Sequence, residues 1–143
     1  MTRSVTPYLF FGGRCEEALA FYRDAVGAQA GMLMRFDQSP DPMPPGMLAK
    51  GFEAKVMHCE FTVGETTVLA SDGCNEGDGG FHGFSLALTV ADEAQAHKAF
   101  DALAVGGEVG MPLQKTFWSP LYGMVKDRFG LHWMVMVPGE PMP

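Results

Sequence analysis

The spacing of hydrophobic positions along the chain changes from strand-like to helical and back to strand-like. This order of changes occurs twice. Helices are predicted over 14–28 and 91–107, where apolar residues recur at helical spacing. Short apolar or alternating runs predict strands, in chain order, over 5–11, 31–36, 55–63, 66–71, 84–90, 108–114, 117–126 and 131–137. The pattern therefore predicts a strand–helix–strand–strand–strand unit used twice within one domain, at about 5–72 and 83–137.

Local signals set the ends of these elements. Gly27 can end the first helix in the left-handed conformation, and Asp92 is the expected N-cap of the second helix. Pro120 lies inside the predicted strand 117–126, which indicates a bulge or a sheet edge there.

A proline-rich loop over 37–54 interrupts the first unit. Four prolines fall within the segment 40–46, and strand patterns resume directly after the loop. A loop of this length is often a lid or an arm that reaches into a partner chain, and it is equally often plain surface.

The composition of the chain limits the kinds of partner that we expect it to bind. The 143 residues carry a net charge of −7, with only ten Lys and Arg, which argues against nucleic acid and anionic membranes as partners. No apolar run is long enough to span a membrane, and the first residues lack the apolar core of a signal peptide. We therefore expect a cytoplasmic protein.

The cysteines Cys15, Cys59 and Cys74 are expected to be buried thiols, because their number and spacing suggest neither a disulfide framework nor a zinc knuckle.

Three stretches resemble one known family. They are PYLFFGGRCEEALAFYRDAVGA (7–28), VMHCEFTVGETTVLASD (56–72) and FWSPLYGMVKDRFGLHWMV (117–135). They resemble the PhnB-like branch of the vicinal oxygen chelate superfamily, which includes glyoxalase I, extradiol dioxygenases and bleomycin-resistance proteins. The resemblance implies an α+β glyoxalase-like fold, in which two βαβββ units with outer helices form a half-barrel pocket, and commonly a homodimer. The demethylubiquinone methyltransferase name often given to this branch finds no support, because the chain has no Gly-rich Rossmann-type cofactor turn.

The superfamily implies a divalent metal held by His, Gln or Glu on the first and last strands of each unit. Matching those positions gives Pro7, Val68, Ser85 and Met134, none of which is a good ligand for a hard or borderline cation. We therefore expect no metal cofactor at the usual site. A divalent metal would need a displaced site.

His58, Glu60 and His132 are the candidates for such a site or for acid–base chemistry. His58 and Glu60 lie two residues apart on one strand and so share a face. The alternation of this strand puts the face of His58 and Glu60 away from the helices. Pairing across the Gly64 turn instead puts Phe61 on the same face as Val68. If Val68 lines the pocket, the two arguments conflict. The alternative is that these side chains only hydrogen-bond to neighbours on a polar face.

Apolar and aromatic side chains suggest a ligand pocket instead. Trp133 is expected in the core. The predicted pocket residues are Trp118, Tyr122, Met134, Met136, Ser85 and Val68.

The sequence therefore predicts a metal-free protein that binds a small, partly apolar molecule. A metal-dependent lyase, isomerase or dioxygenase with a displaced site is the first alternative. A dimeric scaffold without a ligand is the second.

Overall fold

A computed structural model describes residues 3–41 and 43–139. It divides the chain into two compact units, Met1–Gly80 and Phe81–Pro143. Among the described residues, each unit contains one α-helix and one four-stranded mixed sheet. This confirms the predicted strand–helix–strand–strand–strand order in both halves.

The eight strands pair only within their own unit among the described residues. In the first unit the order across the sheet is β1-β4-β3-β2, and in the second it is β5-β8-β7-β6. In each sheet one pair, β1 with β4 and β5 with β8, is parallel, and the other pairs are antiparallel. The strands are β1 Tyr8–Phe10, β2 Gln29–Arg35, β3 Val56–Val63, β4 Thr66–Ser71, β5 Leu86–Thr89, β6 Glu108–Gln114, β7 Leu121–Lys126 and β8 His132–Val137.

The helices α1 (Cys15–Val26) and α2 (Glu93–Ala104) end as their sequences predict. Gly27 caps α1 in the left-handed conformation at φ 73°, which a residue without Cβ adopts at little cost. The Asp92 side chain accepts the Gln95 N–H at 2.8 Å and so satisfies a free donor in the first turn of α2.

One face of each sheet is covered by the unit's helix. In the first unit Phe61 of β3 stacks on Tyr22 of α1, with ring centroids 6.0 Å apart, and both are fully buried. In the second unit Phe100 and Leu103 of α2 are buried, as are the alternate residues Trp133 and Val135 of β8. Trp133 is thus in the core, as predicted.

Several sequence-based boundaries needed correction. The strands predicted over 5–11 and 84–90 are shorter, at Tyr8–Phe10 and Leu86–Thr89. The strand expected over 117–126 begins only at Leu121, so Pro120 lies in the loop before β7 and not in a bulge. Proline cannot donate to a sheet ladder, which is a physical reason for the later start. The loop predicted over 37–54 holds a short 3-10 turn at Phe36–Gln38 and several further turns.

No helix among the described residues is long and apolar enough to cross a membrane.

Candidate functional site

The face of the first sheet that α1 leaves uncovered carries the polar candidates. Phe61 and Cys59 point toward α1, where Cys59 contacts Cys15, so the alternate residues His58 and Glu60 point to the opposite face. We call this side of the sheet the open face of the first unit. Both strand-face arguments are confirmed, because β3 alternates as predicted and Phe61 also pairs with Val68 on the helix-covered face.

A tyrosine that alignment with the superfamily did not favour completes this face. The Tyr8 hydroxyl lies 2.9 Å from Nδ1 of His58, and the two rings are 5.6 Å apart. Tyr8 is 41% exposed and can therefore be reached from solvent. Its neighbour Leu9 is buried, so the alternation of YLF was the sequence signal that could have assigned Tyr8 to the open face.

The environment of Tyr8 keeps its phenol protonated. Burial raises the pKa of Tyr8, and the nearby Cys59 and Cys15 raise it further, against a smaller lowering by a hydrogen bond to Ser71. The protonated phenol can donate its hydrogen to Nδ1 of His58 or accept one from it, according to the tautomer of the imidazole.

Glu60 lies on the same face, and its side chain passes over Gly31 of the neighbouring strand β2. A Cβ added at Gly31 would lie 3.2 Å from Cγ of Glu60 and 3.5 Å from its Oε1. Gly31 therefore leaves the space that the carboxylate arm occupies. His58, Glu60 and Tyr8 together make a polar cluster, with Leu69 between Tyr8 and Glu60 in the strand register.

The open face of the second unit is apolar and sulfur-rich. Met134 and Met136 of β8 are half-buried and alternate with buried residues that face α2. Met134 pairs with Met124, and Met124 in turn pairs with Met111. Methionine side chains are flexible and polarizable, so this surface can adapt to a ligand.

Aromatic rings continue this methionine surface. Tyr122 pairs with Met136, and its ring lies 5.3 Å from that of Trp118 in an edge-to-face arrangement. Trp118 is 42% exposed in the loop before β7, whereas Tyr122 beneath it is buried. Four of the six predicted pocket residues, Trp118, Tyr122, Met134 and Met136, therefore lie on one surface.

Of the other two predicted pocket residues, Val68 belongs to the first unit, and Ser85 lies two residues before Ala87, the strand partner of Met134. Val68 pairs with Phe61 and is buried on the helix-covered face, so it does not line an open face. The glycine spacing that selected it was one residue out of register, and a shift of one residue reverses the face. Ser85 is half-buried and directly precedes β5.

His132 belongs to the second unit, whereas Tyr8, His58 and Glu60 belong to the first. It pairs with Lys126, whose Nζ lies 3.3 Å from Oε2 of Glu108. These three residues line a crevice of about 160 Å³.

The expected metal positions do not fit a divalent cation. Pro7 uses its carbonyl oxygen to accept the Leu69 N–H at 2.9 Å. Leu69, which the register places on the open face instead of Val68, has no donor atom in its side chain. Met134 offers only a thioether, which suits softer metals. Across residues 3–41 and 43–139, no three His, Cys, Asp or Glu side chains lie close enough together to hold a metal ion.

The proline-rich loop forms a cleft of its own. It has a volume of about 310 Å³ and is lined mainly by apolar side chains, with Asp37 and Glu53 at its rim. Described parts of the segment 40–46 line this cleft, and Pro42 lies outside the described residues.

Comparison with known proteins identifies relatives over nearly the whole chain. A family model described as 3-demethylubiquinone-9 3-methyltransferase matches residues 3–136. Protein YjdN of Escherichia coli K12 is 30% identical over 140 residues, which cover 93% of this chain and 94% of YjdN.

Solved structures agree with this result. Protein PA1353 from Pseudomonas aeruginosa is 37% identical with a TM-score of 0.81, and the match covers 97% of this chain and all of that one. The PhnB protein from Bacillus cereus is 26% identical with a TM-score of 0.77, covering 94% and 99%. A glyoxylase/bleomycin resistance protein/dioxygenase domain from Frankia is only 12% identical, with a TM-score of 0.67 over 99% of this chain and 96% of that one, and so shares the fold alone.

Proposed function

Because the chain belongs to the PhnB-like, 3-demethylubiquinone-9 3-methyltransferase family and has the glyoxalase/bleomycin resistance fold, we propose that it binds a small, partly apolar molecule without a metal ion. The observation that carries the proposal is the open face of the second unit. There Met134, Met136 and the Trp118–Tyr122 ring pair form one apolar surface.

The chemistry of this surface defines the class of ligand. An exposed indole edge can pack on a flat ring, and thioethers contact aromatic edges favourably. A planar ring with one polar substituent matches such a surface better than a charged, fully polar metabolite does. The proposal therefore concerns aromatic or amphipathic small molecules.

The test is a thermal-shift screen of small aromatic and amphipathic compounds. A compound that binds only the native state must raise the melting temperature. We expect Trp118→Ala and Met134→Ala to reduce that rise. Val105→Ala should leave it unchanged, because Val105 is an exposed apolar residue at the end of α2, on the opposite side of the sheet. If no compound raises the melting temperature, or if Val105→Ala reduces the rise equally, the proposed surface is wrong and a scaffold role gains support.

The second candidate function is a metal-dependent lyase, isomerase or dioxygenase with a displaced site. The Tyr8–His58 contact of 2.9 Å, with Glu60 on the same face, is the observation that favours it. An imidazole and a carboxylate on one face can bind a metal or transfer protons.

Metal content separates the two candidates. Protein purified without a His tag or chelator is soaked with Mn, Fe, Ni or Zn, and its bound metal is measured by mass spectrometry. Stoichiometric metal that disappears in His58→Ala and Glu60→Ala would overturn the metal-free proposal. His97→Ala is the matched control, because His97 is exposed on α2.

We also propose that the chain forms a homodimer. Within their own sheets β2 and β6 are edge strands, and each exposes an apolar side chain, Met32 and Val109. Unpaired strand edges are ready sites for association between chains. Light scattering coupled to size-exclusion chromatography tests this, and a monomer mass at working concentration would contradict it.

A further inference from the structure

Two buried thiols in the first unit lie opposite each other. Sγ of Cys15, the first residue of α1, is 3.6 Å from Sγ of Cys59 in β3. Both side chains are almost completely buried, at 0% and 1% exposure. Neither thiol belongs to the open faces, because Cys59 points toward the helix.

From this contact we infer that Cys15 and Cys59 form a site of reversible oxidation, at which a small two-electron oxidant joins α1 to β3 by a disulfide. The two S–H bonds break and one S–S bond forms. With an azo compound as oxidant, two hydrogens and two electrons pass to the N=N bond and give a hydrazine. With hydrogen peroxide, the same two hydrogens and electrons give two molecules of water.

The surrounding backbone holds both partners in place. The Asp72 carboxylate accepts the N–H of Cys15 at 2.7 Å, and its other oxygen accepts the N–H of Val56 at 2.7 Å. One side chain therefore fixes the start of α1 to the start of β3. The sulfur atoms, now 3.6 Å apart, must approach each other to form a disulfide bond of about 2.05 Å.

The thiols differ in their readiness to react. The hydrogen bond to Cys59 and burial raise the pKa of Cys15, which therefore keeps its proton. The same sulfur–sulfur contact lowers the pKa of the Cys59 thiol, so Cys59 is the sulfur expected to react first. Because burial excludes bulk solvent, we expect oxidation to be slow relative to that of the half-exposed Cys74.

The location gives oxidation a functional consequence. Cys59 stands between His58 and Glu60 in β3, so a disulfide there constrains the strand that carries both polar candidates on its opposite face. Oxidation state would then change the rigidity of the first unit's open face. This inference does not depend on the proposed ligand surface of the second unit.

The experiment uses the full chain and its Cys74→Ser variant, treated with the azo oxidant diamide and then alkylated. Trypsin with Asp-N separates the cysteines into 15–23, 56–71 and 72–77, because Arg14, Lys55 and Asp72 supply cleavage points. We expect a linked 15–23/56–71 peptide in both proteins, and its loss after reduction with dithiothreitol.

Stability provides the second measurement. A disulfide closing the loop from 15 to 59 should raise the melting temperature of oxidised Cys74→Ser by roughly 5–10 °C. Cys15→Ser and Cys59→Ser should show neither the linked peptide nor the rise, and the Cys74→Ser result stands even if these variants fold poorly. Absence of the linked peptide, linkage only through Cys74, or a fall in melting temperature on oxidation would overturn the inference.

Discussion

Gly123 lies on the helix-facing side of β7, where a side chain has no room. A Cβ there would come within 2.9 Å of the Phe100 ring and 3.0 Å of Cδ2 of Leu113. Its strand partner is the buried Val135. The requirement for glycine at this position is therefore steric, set by how closely α2 approaches the sheet.

We predict that Gly123→Ala destabilises the protein by about 1–3 kcal/mol, because α2 must shift or Phe100 must leave its preferred rotamer. Gly110→Ala is the matched control in the adjacent strand, where a Cβ would meet its nearest atom at an ordinary 3.6 Å. Urea unfolding measures both. Equal stabilities of the two variants would show that α2 packs less closely on β7 than the 2.9 Å approach of Phe100 implies.

Tyr8 gives a residue-scale prediction about pH. Because burial raises its pKa, the folded state keeps a proton that the unfolded chain loses near the ordinary value of 10.0. Its contribution to stability is therefore complete below that pH and is lost as pH rises through the folded-state value. We predict that Tyr8→Phe loses less stability than the wild type between neutral and strongly alkaline pH.

The phenolate absorbance of Tyr8 provides the direct measurement. Subtracting the alkaline titration of Tyr8→Phe from that of the wild type isolates one of the three tyrosines. A midpoint at or below 10.0 would contradict the environment assigned to this ring.

At the scale of elements, one carboxylate connects a helix to a strand. Asp72 directly follows β4 and is 1% exposed, and it accepts backbone N–H groups from Cys15 and Val56. A buried donor that loses its partner costs more than a hydrogen bond contributes on balance.

We predict that Asp72→Ala destabilises the protein by about 2–4 kcal/mol, since it leaves two backbone donors without their acceptor. Glu65→Ala, at the exposed turn between β3 and β4, should change stability by less than about 0.5 kcal/mol. Thermal unfolding of the two variants checks this, and a small effect at Asp72 would mean that water replaces the carboxylate.

At the scale of the whole molecule, the proposed function makes a prediction about metal removal. Dialysis against a chelator should leave unchanged both the melting temperature and the rise produced by an aromatic ligand, because neither depends on a bound cation. A drop in either, reversed by adding back one divalent metal, would favour the displaced metal site.

Much of this fold could be predicted from the spacing of hydrophobic residues alone. The alternation of β8 assigned Trp133 to the core and Met134 and Met136 to the other face, and the structure places them so. Register was harder, because a spacing rule taken from one hairpin selected Val68 on the wrong face. Nothing in the local sequence determines which of two adjacent residues points away from a helix packed from elsewhere in the chain.

The sequence by itself determined the repeated unit and the two helices with their caps. These features depend on local periodicity and on capping residues. Only the tertiary structure placed Tyr8 on His58, Trp118 on Tyr122 and Cys15 beside Cys59. Each of these contacts joins residues from different elements or from a loop and a strand. Their meeting depends on strand register and helix packing, which no single stretch of sequence encodes.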